Sequence, residues 1–558
     1  MDGRQYAERR RAMALFGFAI RNPGASRGLS GAEVAFKAEG TQPIVNRGVV
    51  VNNDPLEADQ MILAEEQAAA EVPAPVPTPA SVKQQLLTAT DQLLAYHASV
   101  NQAPTRGARI NYLFLLGAAS AYSWVTSAAS VTGTKDNWNW ATKNILGDDS
   151  SQAIFLTNAL VKILTKINAS YDATVLRSAL TPQQLAAEAT VLATGAYTTW
   201  STAYDTWWTG RAADGNTTAA PTPTTTDISN ASITLDVTTT QDITAYPNPT
   251  QWTSLTVGGA RKNYLTMNWN SVTSTGLSGA QETTIQNAAN TEYLSNPTAR
   301  NTEIADLLAL HNSLTDHQKI IAEFWAGGPG TPSPPGIAIW FWRYAVAVNG
   351  ATTYQTVYSG LELAIGLFEA SRLAWGVKKQ QKEARPIQMI RKNFTTTDVT
   401  VYKGTSSVYP TTQTVKGNMW FPYQMANFVT PPFPDFVSGH STFSQTLANV
   451  MTSWFGATLP SQTFAPSNIE LVAPVLQNEI TLALTYFPVA AGASEIQPGE
   501  VPAAPLTLTF ATWQDVADSA GISRLYGGIH CQSANAGGKA LANALTPALA
   551  TAWGIAKA

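Results

Sequence analysis

The chain has 558 residues, with 34 basic against 38 acidic side chains and a formal net charge of −4. That balance, with no long polybasic run, excludes a nucleic-acid surface built on gross charge. Charged residues make up only 13% of the chain, about half the share of an average globular protein, so Thr, Ser, Asn and Gln must supply much of the polar surface. Sixteen tryptophans predict large aromatic packing layers. The one cysteine, Cys531, allows no intramolecular disulfide and reads as a small buried residue. Cysteine usage therefore leaves the compartment unknown.

Residues 1–81 read as an extended arm. Arg9-Arg10-Arg11 precede a short apolar run, Ala12–Ile20, broken by Gly17 and followed by no small-residue cleavage pattern, so no convincing signal peptide is present. Asn46–Asn52 is a candidate strand. Alternating prolines from Pro73 to Pro79 make a stiff polyproline II spacer. Such an arm suits docking on a partner or on a second copy of the chain.

Residues 82–214 predict four or five helices forming half of a bundle. Val82–Ser99 carries Leu86, Leu87, Leu93 and Leu94 at helical spacing, with Ser81 as cap. Ala108–Ala129 is a strongly apolar helix. Its Tyr112–Val131 stretch is long enough to cross a bilayer, but Ser120, Ser123, Thr126, Ser127 and Ser130 suit a buried core helix better, and no membrane span is expected. Gln152–Ala173 repeats the pattern. Thr181-Pro182 starts a further helix through Leu185–Trp208, ending at Gly210.

Residues 215–245 form a Thr/Pro-rich linker, with Ser232–Val237 a candidate strand. Residues 246–558 predict a second helical bundle. Pro247–Ser274 is irregular and aromatic-packed. Helices follow at Ala299–Asn312 and Leu314–Trp325, then a loop, Gly327–Gly336, without the lysine of a nucleotide P-loop. Ile337–Val348 and Thr353–Lys378 are apolar central helices. Thr397–Phe421 alternates and predicts a hairpin. Gly439–Trp454, Trp513–Gly521, Ile522–His530 and Gly537–Trp553 are the closing helices, with loop-rich Ala457–Pro505 between them. The fold class is mainly α, with long loops and a few short strands.

The residues suited to chemistry lie in three stretches of this second part. They are Lys378 with Arg385-Pro386, then Ser438-Gly439-His440, then Ser523-Arg524 with His530. Together they describe a cage for a tetrahedral or trigonal-bipyramidal oxyanion. Two guanidinium forks and an ammonium neutralise its charge. Ser438 offers a hydroxyl. Gly439 lets a backbone N–H approach closely, at the start of a helix whose dipole favours anions. Of the two histidines, one can bond the central atom as nucleophile or ligand, while the other moves protons on the opposite face.

The three stretches resemble the motifs of the superfamily of vanadium-dependent haloperoxidases and type 2 phosphatidic acid phosphatases. Glu323–Gly336 and the stretch Gln251-Trp252 through Tyr264 to Trp269 resemble its bacterial haloperoxidase-like branch. The resemblance implies that branch's helical-bundle fold, with Lys378, Arg385, Ser438, Gly439 and Arg524 binding vanadate, or phosphate as its near-isosteric alternative. It implies His530 as axial vanadium ligand or phosphatase nucleophile, His440 as acid/base, and Lys378 as the group polarising hydrogen peroxide. Trp375 and Phe433 match halide-pocket positions. Val437 replaces the family's usual proline. Ala534 replaces an aspartate that orients the last histidine in many members, leaving that task to Asn535 or a backbone carbonyl. The acidic residue that often precedes the motif lysine is also missing.

Outside these motifs, His97, His311 and His317 are expected at the surface or as helix caps, and Lys379, Lys382, Arg391 and Lys392 on a solvated face. The function expected is oxidation of a halide by hydrogen peroxide to hypohalous acid. The alternatives are an acid phosphatase with a phosphorylated His530, or a structural protein that docks through its arm. Neither the halide nor any organic substrate can be read from the sequence.

Overall fold

The first helix begins where its cap is. Ser81 Oγ accepts the Gln84 N–H at 3.1 Å and opens α1 (Val82–Val100). The computed structural model describes residues 79–127, 131–141, 143–216, 233–234, 250–406, 408–459 and 486–557. The arm up to residue 78, with its Ala12–Ile20 run and candidate strand at residues 46–52, lies outside them. So does the linker, apart from residues 215–216 and Ile233–Thr234. That short pair runs parallel to Leu255-Thr256.

α2 (Pro104–Val125) starts four residues earlier than the apolar pattern, with Pro104 in its first turn. It stops early because Thr126 turns extended and its hydroxyl bonds back to the Tyr122 carbonyl at 2.9 Å. α3 (Asp149–Ile167) and the single turn α4 (Thr174–Arg177) follow. The one helix expected over Leu185–Trp208 is two, α5 (Pro182–Ala193) and α6 (Ala196–Ala212). Gly195, at φ +79°, breaks it in a conformation that a side chain would strain. Gly210 does not end α6, which runs on to Ala212.

α7 (Gly279–Asn290) was not expected, although its Ser278/Gln281 capping box is readable. α8 (Pro297–His311) and α9 (Asp316–Phe324) come next. α10 (Ser333–Val348) begins inside the expected Gly/Pro loop, because Pro334 and Pro335 occupy a first turn that needs no N–H donors. α11 (Thr353–Gln381) has 29 residues. α12 (Pro386–Asn393) precedes the expected hairpin, where Asp398–Val401 pairs antiparallel with Gln413–Lys416. α13 (Gly439–Phe455), α14 (Trp513–Tyr526) and α15 (Gln532–Trp553) close the chain. Ile522–His530 is therefore not a helix of its own. α14 carries its first half, and Ile529-His530 is a connector whose N–H groups both donate to the Arg524 carbonyl. The fold is mainly α, with strands of two to four residues.

α11 is the axis. At 1.5 Å per residue it spans about 43 Å, and it is buried almost all round. α2, α10, α13 and α15 pack against it. Tyr112 of α2 stacks on Phe368 of α11, with centroids 5.1 Å apart and planes 7° from parallel. The early and late helices thus share one hydrophobic core, and the described residues from Ala80 onward form one compact unit. Among them, no helix is long and apolar enough to cross a membrane.

Candidate oxyanion site

Helix ends converge on the site. Lys378 lies in the last turn of α11 and Arg524 in the last turn of α14. Arg385 is the residue before α12. Ser438 caps α13, with Gly439 as its first helical residue. His530 sits one residue before Cys531, the N-cap of α15. Two cationic helix C-termini therefore meet three helix N-termini, whose dipoles favour an anion. Gly528 makes the turn into His530. It sits at φ +66°, and a Cβ there would lie 3.0 Å from Pro422 and Trp420.

The side chains are tightly held. Lys378, Arg385 and Ser438 are fully buried, and Arg524 and His530 nearly so. Lys378 Nζ donates to the Pro434 carbonyl at 2.7 Å and the Asp435 carbonyl at 3.0 Å. An ammonium has three donors, so one remains. Arg385 Nε donates to the Phe433 carbonyl and Nη1 to the Ile529 carbonyl, both at 2.7 Å. Nη1 also lies 3.0 Å from His530 Nε2. Arg524 Nη1 donates to the Trp325 carbonyl at 2.9 Å. Arg385 Nη2 and Arg524 Nε have no partner among the described residues.

These contacts assign both imidazole tautomers. A guanidinium only donates, so His530 Nε2 accepts from Arg385, and the ring proton of neutral His530 is on Nδ1. A carbonyl only accepts, so His440 Nε2, 2.7 Å from Trp325 O, carries the proton of neutral His440. Both histidines are neutral near pH 7. Burial and the neighbouring guanidinium, Arg385 for His530 and Arg524 for His440, hold their pKa values well below the usual range.

The local field is positive. Burial, then repulsion from Arg385, pulls the Lys378 ammonium well down. Burial brings Arg385 to about 10, with partial relief from Asp435, and burial plus Arg385 brings Arg524 to about 9. Both guanidiniums stay charged at pH 7. A tetrahedral oxyanion fits this set. The orphan donors Arg385 Nη2 and Arg524 Nε, the third Lys378 proton and the Ser438 hydroxyl complement its oxygens. At Gly439 the protein itself leaves room for a Cβ, with Phe443 and Trp375 the nearest at 3.7 and 3.8 Å.

Other expectations fall differently. Trp375 and Phe433 pack beside the cage in a tilted pair with centroids 4.9 Å apart, and the Phe433 ring lies 5.0 Å from Lys378 Nζ. Asn535 does not attend His530. Its Oδ1 instead accepts the Ser441 hydroxyl proton at 2.8 Å. Beside His530 Nδ1 lies the Asp435 carboxylate, with Oδ1 at 2.5 Å but too oblique for a regular hydrogen bond, and the Asp435 backbone carbonyl also faces the ring. Asp435 and the Trp325 carbonyl are the site components that the sequence reading missed. Asp435, three residues before Ser438, was the one readable signal. His97 and His311 are not at the surface but fully buried. His97 pairs with Asn111, and His311 Nε2 accepts the Tyr423 N–H at 3.0 Å. Arg391 is not solvated either. It is buried, with Nε donating to the Trp420 carbonyl at 2.9 Å. His317 is exposed.

A cavity of about 510 Å³ adjoins the site, lined by Phe324, Trp340, Phe341, Tyr423 and Met425 among others. Gly327 lies in its wall, and a Cβ there would come within 3.3 Å of His440 Nε2.

Residues 360–552 match the family model described as the VCPO second helical-bundle domain. The structure is similar to the apo and holo forms of a bacterial vanadium-dependent chloroperoxidase. The apo form aligns with TM-score 0.59 at 14% identity, over 80% of this chain and 93% of that one. The holo form gives 0.56 at 15%, over 82% and 94%. A bacterial vanadium-dependent iodoperoxidase aligns with TM-score 0.55 at 16% identity, over 85% of this chain and 98% of that one. The chain has the vanadium haloperoxidase fold. Every motif residue from Lys378 to His530 lies within the segment that matches the second helical-bundle domain of that fold. No curated protein matches the sequence significantly.

Proposed function

We propose that the chain is a vanadate-dependent haloperoxidase, which oxidises a halide with hydrogen peroxide and releases hypohalous acid. The observation that carries the proposal is the buried cluster of Lys378, Arg385 and Arg524 around His530, with orphan donors on both guanidiniums. The similarity to apo and holo forms of a bacterial vanadium-dependent chloroperoxidase supports it.

In this reading Lys378, Arg385, Arg524, the Ser438 hydroxyl and the Gly439 N–H bind vanadate. His530 would hold the vanadium through its Nε2 lone pair, which Arg385 Nη1 contacts at 3.0 Å in this structure. Bound vanadate supplies a Lewis acid that activates hydrogen peroxide toward halide without changing its own oxidation state. Lys378 adds charge beside the peroxide oxygens. His440 keeps Nε2–H on the Trp325 carbonyl, which leaves Nδ1 to take a proton from the incoming peroxide. Trp375 and Phe433 give the halide an apolar, polarisable wall next to Lys378. The adjoining cavity has room for a small organic acceptor.

The same unprotonated His530 Nε2 would also serve as a nucleophile toward phosphorus, the basis of an acid-phosphatase reading. One experiment separates the two. Protein loaded with orthovanadate and given bromide, peroxide and a phenol is expected to brominate it only when vanadate is present. Arg524→Ala and Lys378→Ala are each expected to lower that rate roughly 10²- to 10³-fold, as loss of a fixed charge at a reacting centre does. Hydrolysis of a phosphomonoester, inhibited by vanadate and without bromination, would select the phosphatase instead.

A further inference from the structure

We propose that Asp435 is a positioning residue for His530, supplying from the segment before Ser438 the carboxylate that the family resemblance expects at position 534. The inference rests on the oxyanion-site reading above.

Arg385 Nη1 requires a lone pair on His530 Nε2, so the ring proton must be on Nδ1, and a buried N–H without an acceptor is costly. The Asp435 carboxylate is the only acidic group in contact with His530 among the described residues, with Oδ1 2.5 Å from Nδ1. The Asp435 backbone carbonyl is a second acceptor beside the ring, supplied by the same residue, and the other side-chain candidates are engaged elsewhere. Asn535 bonds Ser441, and Glu383 and Glu303 both pair with Arg300. Position 534 is an alanine whose carbonyl accepts the Ser438 N–H at 2.8 Å.

Asp435 is itself fixed on several sides. Its N–H donates to the Glu383 carbonyl at 3.0 Å, and its own carbonyl accepts from Lys378 Nζ. Its Oδ2 accepts the Cys531 N–H at 3.3 Å. The carboxylate lies 3.7 Å from both Arg300 and Arg385. One residue thus connects the lysine, one arginine and the histidine of the site. Carboxylates behind a ligating imidazole set its ring orientation and raise its basicity, and their loss weakens ligand binding. The carboxylate is therefore moved to another segment and not lost, and Ala534 does not imply a crippled site.

The test uses the full chain, free of oxyanion, as wild type and as Asp435→Asn, Asp435→Ala and Asp435→Glu. Imidazole nitrogen shifts of ¹⁵N-histidine protein, with His530 assigned through His530→Gln, report the tautomer directly. Calorimetric titration with orthovanadate, and separately with inorganic phosphate, reports affinity. Wild type is expected to show His530 protonated at Nδ1. Asp435→Asn and Asp435→Ala should mix in the Nε2–H form and raise the Kd for both anions roughly 10- to 100-fold, with Asp435→Glu recovering much of the loss. A purely structural role would lower the melting temperature without moving tautomer or Kd. Unchanged tautomer and Kd in Asp435→Asn, or a wild-type His530 protonated at Nε2, would overturn the proposal. If Asp435→Ala prevents folding, the near-isosteric Asp435→Asn decides by its tautomer and Kd. Loss of halogenation with these shifts intact would overturn the haloperoxidase reading instead.

Discussion

Lys378, Arg385 and Arg524 crowd like charges into a buried site, where the protein's own carboxylates relieve the repulsion only in part. Anion binding should therefore stabilise the fold. Phosphate at 100 times its Kd is expected to add about 2.7 kcal/mol, readable as a rise in Tm that Arg385→Ala abolishes. A melting temperature indifferent to phosphate would mean that the cage holds nothing. The buried histidines make a second prediction. Burial depresses the His311 pKa to about 3 from an ordinary 6.5. Between those values the unfolded chain binds a proton that the folded one refuses. Stability from His311 is full above pH 6.5 and is lost as pH falls, at about 1.4 kcal/mol per pH unit. Replacing His311 with Gln should flatten the wild-type slope by that amount between pH 6 and 4 in denaturant titrations, and an unchanged slope would contradict its neutral burial. Such a role is invisible in sequence. His311 is followed by Asn312 and Ser313, while the Trp420 and Tyr402 rings that enclose it lie about a hundred residues away. Lys378, Arg385, His440, Arg524 and His530 were legible because residue type and spacing carry their chemistry. The Trp325 carbonyl was not, since a backbone acceptor has no signature.

Elements reveal a different boundary. Caps and strong apolar periods could be read, so α1, α11, α13 and the hairpin stand close to where the sequence puts them. Breaks and joins were harder. Gly195 splits a helix that looked continuous, whereas nothing breaks α14 where two helices were expected. Polar α7 was missed because its period is faint, although its capping box was in view. The long α11 depends on tertiary partners more than on propensity. Phe368 meets the Tyr112 ring, and Arg211 lies over both rings while pairing with Asp136. Truncating Phe368 to alanine should cost about 3–5 kcal/mol, as in other well-packed cores, seen as a lower denaturant midpoint with an unchanged slope. A loss under 1 kcal/mol would mean that the stack is not part of the shared core.

Across the whole molecule, few charges are present and many of them are used inside. With only 13% charged residues, the chain still buries Arg300, Lys378, Arg385, Arg391 and Arg524 together with Glu383 and Asp435 near the site. Such burial is costly unless the groups are paired or serve a ligand. Arg300 is ion-paired with Glu303 and Glu383, whereas Arg385 Nη2 and Arg524 Nε have no partner among the described residues. The helices bring these residues together from segments up to about 150 positions apart, in a fold shared with proteins only 14–16% identical. The most direct test is a crystal structure of the protein soaked with orthovanadate. The account predicts vanadium bonded to His530 Nε2, with Arg385, Arg524 and Lys378 turned onto its oxygens. Vanadium bound elsewhere, or none with Arg385 still on His530 Nε2, would contradict it.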